Sequence, residues 1–197
     1  IEAWRKAPAQ IITYPSERVS QPDGTTYTAN PGRRLLIGGI PVMDTCEGPW
    51  ADGTVGLAFS VDKIRFLNPN YKLKVLERGA GLNIVGTRII NKLVSRGSGE
   101  YHVIELNDDV ADNAEKWKEH MNESIAGYQR ITGVKFDIKI FVHRGEAKEV
   151  TRKLVLDEEK RFNIILSDTY PLTEEESGIN DIEDLDVISK GLYKEGV

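Results

Sequence analysis

The sequence has a single cysteine, Cys46, so no internal disulfide can brace it. Its three histidines, His102, His120 and His143, lie far apart, with no helical i, i+4 pair and no cysteine cluster to complete a metal set. A reduced, cytoplasmic setting without a structural metal is the expectation. Blocks of basic charge are also missing: 26 Lys and Arg stand against 31 Asp and Glu, for a net charge of -5. A phosphate backbone would find no stripe to hold, and nucleic acid is not an expected partner. No apolar run approaches the roughly 20 residues that span a bilayer, and the opening "IEAWRKAPAQ" lacks the apolar core of a signal peptide. Neither a membrane span nor a leader is expected. Residue 1 is not methionine, so it lies after the initiator or is the first ordered residue.

What is present suffices for one folded unit: 197 residues, 40% of them hydrophobic, can bury a full core. Residues 1–33 are rich in Pro, Gly, Ser and Thr and read as an irregular arm. In "RRLLIGGIPVMDTCEGPW" the residues Gly38, Gly39, Pro41, Gly48 and Pro49 rule out one continuous helix up to Trp50, and a helix is expected over 51–62. The remainder is more regular. Strands are expected at 73–77, 101–106, 134–142 and 162–166, the third alternating like a strand near a sheet edge. Between and after them come helices at 84–94, 107–131, 147–155 and 179–193, the second capped by Asn107 or Asp108.

Strand and helix in alternation is the grammar of a doubly wound, mostly parallel α/β sheet covered on both faces, a Rossmann-like architecture. Ligands in such sheets bind beyond the carboxyl ends of the strands, where the strand order reverses. That rule puts Gly79–Gly81, Glu105, the loop after Val142, and Asp168 on one rim. "ERGAGLN" carries a G-x-G between strand and helix, where missing Cβ atoms let a ligand reach the backbone. Ile84 stands where a dinucleotide fingerprint would have its third glycine, the next glycine being Gly86, and Glu77 before the loop would repel a phosphate. Glu105 ends the next strand, where an acid can accept hydrogen bonds from both hydroxyls of a ribose. A ribose without phosphate points to S-adenosylmethionine.

The blocks "GGIPVMDTCEGPW", "VLERGAGLNI", "HVIELNDDV" and "FNIILSDTYPLTEE" resemble, in order and spacing, those of the guanidinoacetate N-methyltransferase family and its arginine-methylating relatives, class I S-adenosylmethionine-dependent methyltransferases. The likeness covers residues 34–197, with a longer helix and loops around 115–160. It implies that Gly79, Ala80, Gly81, Leu82, Asn83 and Ile84 wrap the methionine part of the cofactor. Glu105 would hold the ribose, with Leu106, Asn107, Gly145 and Glu146 bordering the adenine and Met43 lying near the sulfonium. It further implies that Glu47 and Asp168 grip the substrate nitrogen as the catalytic carboxylates, with Thr169 and Tyr170 completing the substrate slot.

Departures from the family bear on the substrate side. Cys46 stands where the family has an aromatic residue and Gly48 where it has threonine; Cys46 reads as a small packing residue rather than a nucleophile. The chain ends at "YKEGV", just before the strand whose neighbourhood binds the substrate carboxylate in the family, so strands five to seven are expected to be missing. The expectation is an S-adenosylmethionine-dependent N-methyltransferase (EC 2.1.1 type) acting on a guanidino or amino nitrogen of a small amino-acid-like substrate. Residues 1–50 would form an arm and covering segment, and 51–197 the cofactor-binding domain, incomplete at its carboxyl end. Arginine in a peptide or protein is the alternative acceptor, and a noncatalytic partner of the same fold the alternative role. The expected partner is a small molecule, and self-association is left open.

Overall fold

The fold is taken from a computed structural model, which describes residues 2–20, 26–29, 31–60, 72–167 and 182–192. Its centre is a four-stranded parallel sheet of β6 (Leu73–Arg78), β7 (Ser98–Glu105), β8 (Asp137–Arg144) and β9 (Ile164–Ser167), in the order β8-β7-β6-β9. The chain steps outward from β6 through β7 to β8, then returns to the other side of β6 with β9, so the strand order reverses at β6. β6 lies inside the sheet and has no wet face, which is why "LKVLER" carries five buried residues of six. β8 is an edge strand, and the alternation read from its sequence is visible in its burial.

On one face lie α3 (Ile84–Arg96) and α4 (Asp108–Thr132), over Leu73, Val75, Tyr101, Val103 and Ile140. α3 turns Val85, Ile89, Ile90 and Leu93 inward at helical spacing. Gly86 lets it sit low on the sheet, since a Cβ there would meet the Tyr101 hydroxyl at 2.6 Å. Asn107 caps α4, as its sequence predicts, by accepting from the Val110 N–H at 3.2 Å. On the opposite face α5 (Ala147–Arg152), its π-helical continuation Lys153–Asp157 and α6 (Ile182–Gly191) cover a second apolar cluster of Leu76, Ile104, Leu154, Val155, Phe162 and Val187.

The region before the parallel sheet departs from its sequence reading. The described part of residues 1–33 is no irregular arm: it contains α1 (Glu2–Lys6), β1 (Ala9–Tyr14), the antiparallel pair β2 (Glu17–Ser20) and β3 (Thr26–Ala29), and the start of β4 (Gly32–Ile37). β1, β4 and β5 (Ile40–Asp44) form an antiparallel three-stranded sheet, with β4 in the middle. Pairing with a strand some twenty residues away satisfies the backbone of β1, and local periodicity carries no trace of it. A 3₁₀ turn, Thr45–Glu47, leads into α2 (Gly48–Ser60), which starts three residues before the sequence suggests. The far end of the helix expected over 51–62, and parts of that expected over 179–193, lie outside the described residues.

His102 is a buried imidazole in the middle of β7, stacked on Phe141 and edge-on to Phe162. Its Nδ1 shares a hydrogen bond of 2.9 Å with His143 Nε2, while its buried Nε2 makes no hydrogen bond and lies 3.8 Å from Glu100 Oε2. Burial above all, then His143 and the cations Lys160 and Lys74, hold its pKa down to about 3. Unfolding releases this group to titrate near 6.5, so the unfolded chain binds more protons below that pH and stability falls as the medium is acidified. Between pH 7.5 and 5 the group should cost about 2 kcal/mol of unfolding free energy. Denaturant titrations of wild type and His102→Leu at both pH values check this: the variant should lose measurably less stability on acidification, and equal losses would contradict the assignment.

Candidate active site

Three turns meet at the carboxyl ends of the parallel strands. The first, Gly79–Asn83 between β6 and α3, needs unusual backbone: φ is +97° at Gly79, +48° at Gly81 and +57° at Asn83. Gly79 donates its N–H to the Ile104 carbonyl at 2.9 Å, and Asn83 to that of Ala80 at 2.8 Å, which curls the turn over the end of β6. Ala80 and Asn83 are buried, Leu82 and Ile84 half-buried. Asn83 is the residue before the helix, but its side chain caps nothing, and its Oδ1 is buried with no partner.

The second turn holds Glu105, the last residue of β7 and only 8% exposed. Its Oε2 accepts from the Ala80 N–H at 3.0 Å and its Oε1 from the Asn107 N–H at 2.8 Å. Burial pushes its pKa up, opposed by the N–H groups of Asn107, Ala80, Gly81 and Leu106, which favour the charged form. Leu106 is half-buried next to it, and the Glu105 carbonyl accepts from Gly145 N–H at 2.9 Å, bringing in the third turn. Glu146 is the cap of α5: its carboxylate accepts from the N–H groups of Lys148 and Glu149. The structure thus brings Gly79–Ile84, Glu105, Leu106, Asn107, Gly145 and Glu146 together along one rim.

Glu77 differs from its sequence reading. Its carboxylate is in the core, only 1% exposed, where it accepts from the Tyr101 hydroxyl at 2.5 Å, so it is a packing partner beneath the loop and not a charge facing a ligand.

Asn107 has a second task. Its Nδ2 donates to the carbonyls of Trp4 at 2.9 Å and Ala7 at 2.8 Å, while Asp108 takes Arg5 and Lys6 and Asp109 takes the Ala9 N–H. Each residue of "NDD" therefore grips the segment 4–9 and straps it across the start of α4 beside Glu105.

The three-stranded sheet delivers the remaining residues. Met43, on β5, is buried and its Sδ accepts from the Leu82 N–H at 3.0 Å, so it reaches the glycine turn. Four residues on, Glu47 Oε1 accepts from the Asp44 N–H at 2.8 Å while the Asp44 side chain accepts from Cys46 N–H, a reciprocal cap that sets Glu47 at the entrance to α2. Asp44 also accepts from the Tyr14 hydroxyl and, at 2.9 Å, from Arg34 Nε. Against the cost of burial, the Cys46 N–H, Tyr14 and Arg34 hold its carboxyl below the usual carboxylate range. Sequence reasoning missed this Asp44 cluster, although the D-x-x-E spacing of "DTCE" is a visible capping signal. Cys46 is exposed rather than packed, and partial desolvation of its thiol, then the adjacent Asp44, push its pKa up, which disfavours the nucleophilic thiolate. Asp168, Thr169 and Tyr170 lie outside the described residues; they follow Ser167, whose backbone pairs with Arg78 at the end of β6. Among the described residues there is no cluster of metal-ligating side chains, and no helix is long and apolar enough to cross a membrane.

A four-stranded, mostly parallel sheet with helices on both faces, a glycine turn after its first strand and a buried acid after the second, defines a Rossmann-like fold of the methyltransferase type. The chain belongs to the guanidinoacetate N-methyltransferase family, whose model matches residues 22–196. Among solved structures, the crystal structure of MNMC2 from Aquifex aeolicus is similar, with a TM-score of 0.51 at 14% identity; the match covers 92% of this chain and 57% of that one. At that identity the likeness concerns the fold, and this chain spans just over half of that protein's length. No curated protein matches the chain.

Replacing Asn107 by Ala should release segment 4–9 by stranding two carbonyls and one helix N–H, at a cost of about 2 kcal/mol. The check is a denaturant titration paired with limited trypsin digestion, where cleavage at Arg5 and Lys6 should accelerate in Asn107→Ala; unchanged cleavage would mean the strap is held by other contacts.

Proposed function

We propose that this protein is an S-adenosylmethionine-dependent N-methyltransferase acting on a guanidino or amino nitrogen of a small amino-acid-like substrate. One observation carries the reading: the buried Glu105 carboxylate faces the glycine turn across adjacent strands, at the rim where the strand order reverses. Membership of a guanidinoacetate N-methyltransferase family supports it.

The residues present fit the cofactor. Glu105 offers acceptor oxygens to ribose hydroxyls, Gly79 and Gly81 carry no side chains of their own although Met43 rests on Gly81, and the unpartnered Asn83 Oδ1 is an acceptor suited to an ammonium. Leu106, Gly145 and Glu146 would flank the base. When bound, the cofactor supplies an electrophilic methyl group on a cationic sulfonium.

The protein's own work is alignment and proton removal. A guanidinium is planar and cationic, with N–H donors that match carboxylates two at a time. Glu47, fixed by its backbone cap, and Asp168, one residue beyond β9, would orient that group, hold its attacking nitrogen in line and accept the proton released as the N–C bond forms. Thr169 and Tyr170 would complete the slot.

Calorimetric titration with S-adenosylhomocysteine tests the cofactor half of this reading: wild type should bind, and Glu105→Ala should bind at least tenfold more weakly, or about 1.4 kcal/mol. Incubation with methyl-labelled cofactor and a panel of guanidino compounds, amines and arginine peptides tests the other half. Glu47→Gln, which keeps the acceptor for Asp44, and Asp168→Asn should abolish methyl transfer while cofactor affinity stays within about tenfold. Parallel loss of turnover and affinity would move both acids from substrate binding to support of the fold.

A further inference from the structure

The contact between Met43 and the glycine turn is closer than packing requires. The Met43 Sδ accepts the Leu82 N–H at 3.0 Å, a hydrogen bond at the very turn where other residues leave Asn83 Oδ1 without a partner. The thioether also covers Gly81: a Cβ at that position would lie 2.5 Å from Sδ and 2.6 Å from Cε, so the side chain fills the space that the missing Cβ opens. A CH₂–S–CH₃ group resting on a glycine and bonded to a backbone N–H has the chemical form of the thioether in S-adenosylhomocysteine.

We infer that the Gly81–Leu82 turn is a thioether-binding pad whose resident occupant is Met43, so that a ligand taking its place must first displace that side chain. This rests on the cofactor reading above.

The fold permits the displacement. Among the described residues β5 is an edge strand of its sheet, with β4 its one strand partner. It carries Pro41, which has no N–H to give, and the register shifts between Leu35 and Leu36 opposite it. Gly38 and Gly39, both at positive φ, form the turn that joins it to β4. An outer strand held on one side can move without opening the sheet behind it. Methionine suits the position because its unbranched side chain can leave and refill an irregular space at little conformational cost.

Two measurements separate the pad from the cofactor reading. In the ligand-free protein, ¹⁵N-resolved amide exchange at Leu82 should be at least tenfold faster in Met43→Leu, which keeps apolar bulk but loses the sulfur acceptor; unchanged exchange would overturn the pad. In calorimetric titrations with S-adenosylhomocysteine, Met43→Ala should bind at least fivefold more tightly than wild type, because its turn stands open. Equal or weaker binding by Met43→Ala, with wild type binding normally, would overturn displacement and leave Met43 as an ordinary contact of the bound ligand. If neither protein binds although circular dichroism shows both folded, the cofactor reading falls, and the proposal with it.

Discussion

The site depends on one carboxylate reaching across two strands. Glu105 spends its two oxygens on the Ala80 N–H of the glycine turn and the Asn107 N–H at the start of α4, both of which would otherwise be buried donors without partners. Burial pushes its pKa up, and the surrounding N–H groups offset part of that shift. This side chain, together with the bond from the Gly79 N–H to the Ile104 carbonyl, links the turn after β6 to the turn after β7. Asn107 then passes the constraint on, capping α4 with its Oδ1 and holding segment 4–9 with its Nδ2. The rim, the long helix and the strap are thereby one connected polar structure.

That connectivity places the antiparallel sheet where it can act on the site. β1 follows directly from the strap, β4 pairs with β1, and β5 pairs with β4, so Met43 arrives at the glycine turn, and Glu47 at the start of α2, from a separate layer. The strand-end turns thus belong to the parallel sheet, while Met43 and Glu47 come from the antiparallel sheet and the turn that follows it.

Much of the parallel-sheet half is legible in the sequence, because its signals are local. The apolar run of β6, the spacing of Val85, Ile89 and Ile90, the cap at Asn107 and the alternation of β8 each follow from forces acting within a few residues. The antiparallel half is not. Nothing near β1 announces a partner beyond residue 31, and Pro and Gly suggest a loop where hairpins stand. The sequence also identifies side chains but not their assignments: Glu77 is an acid beside the loop in sequence, and a core acceptor for Tyr101 in space. Asn107 reads as a cap and is one, yet its grip on Trp4 and Ala7 spans about a hundred residues. Cys46 has the size of a packing residue, and the turn that Asp44 and Glu47 cap presents it to solvent.

The central claim is that a phosphate-free nucleoside bearing a thioether seats between the glycine turn and Glu105. Mapping ¹⁵N–¹H shifts of the full chain during titration with S-adenosylhomocysteine tests this most directly. The account predicts saturating shifts concentrated at the amides of Gly79 to Asn83, Leu106, Asn107 and Gly145. Saturating shifts confined to other parts of the molecule, or none at millimolar ligand, would contradict it.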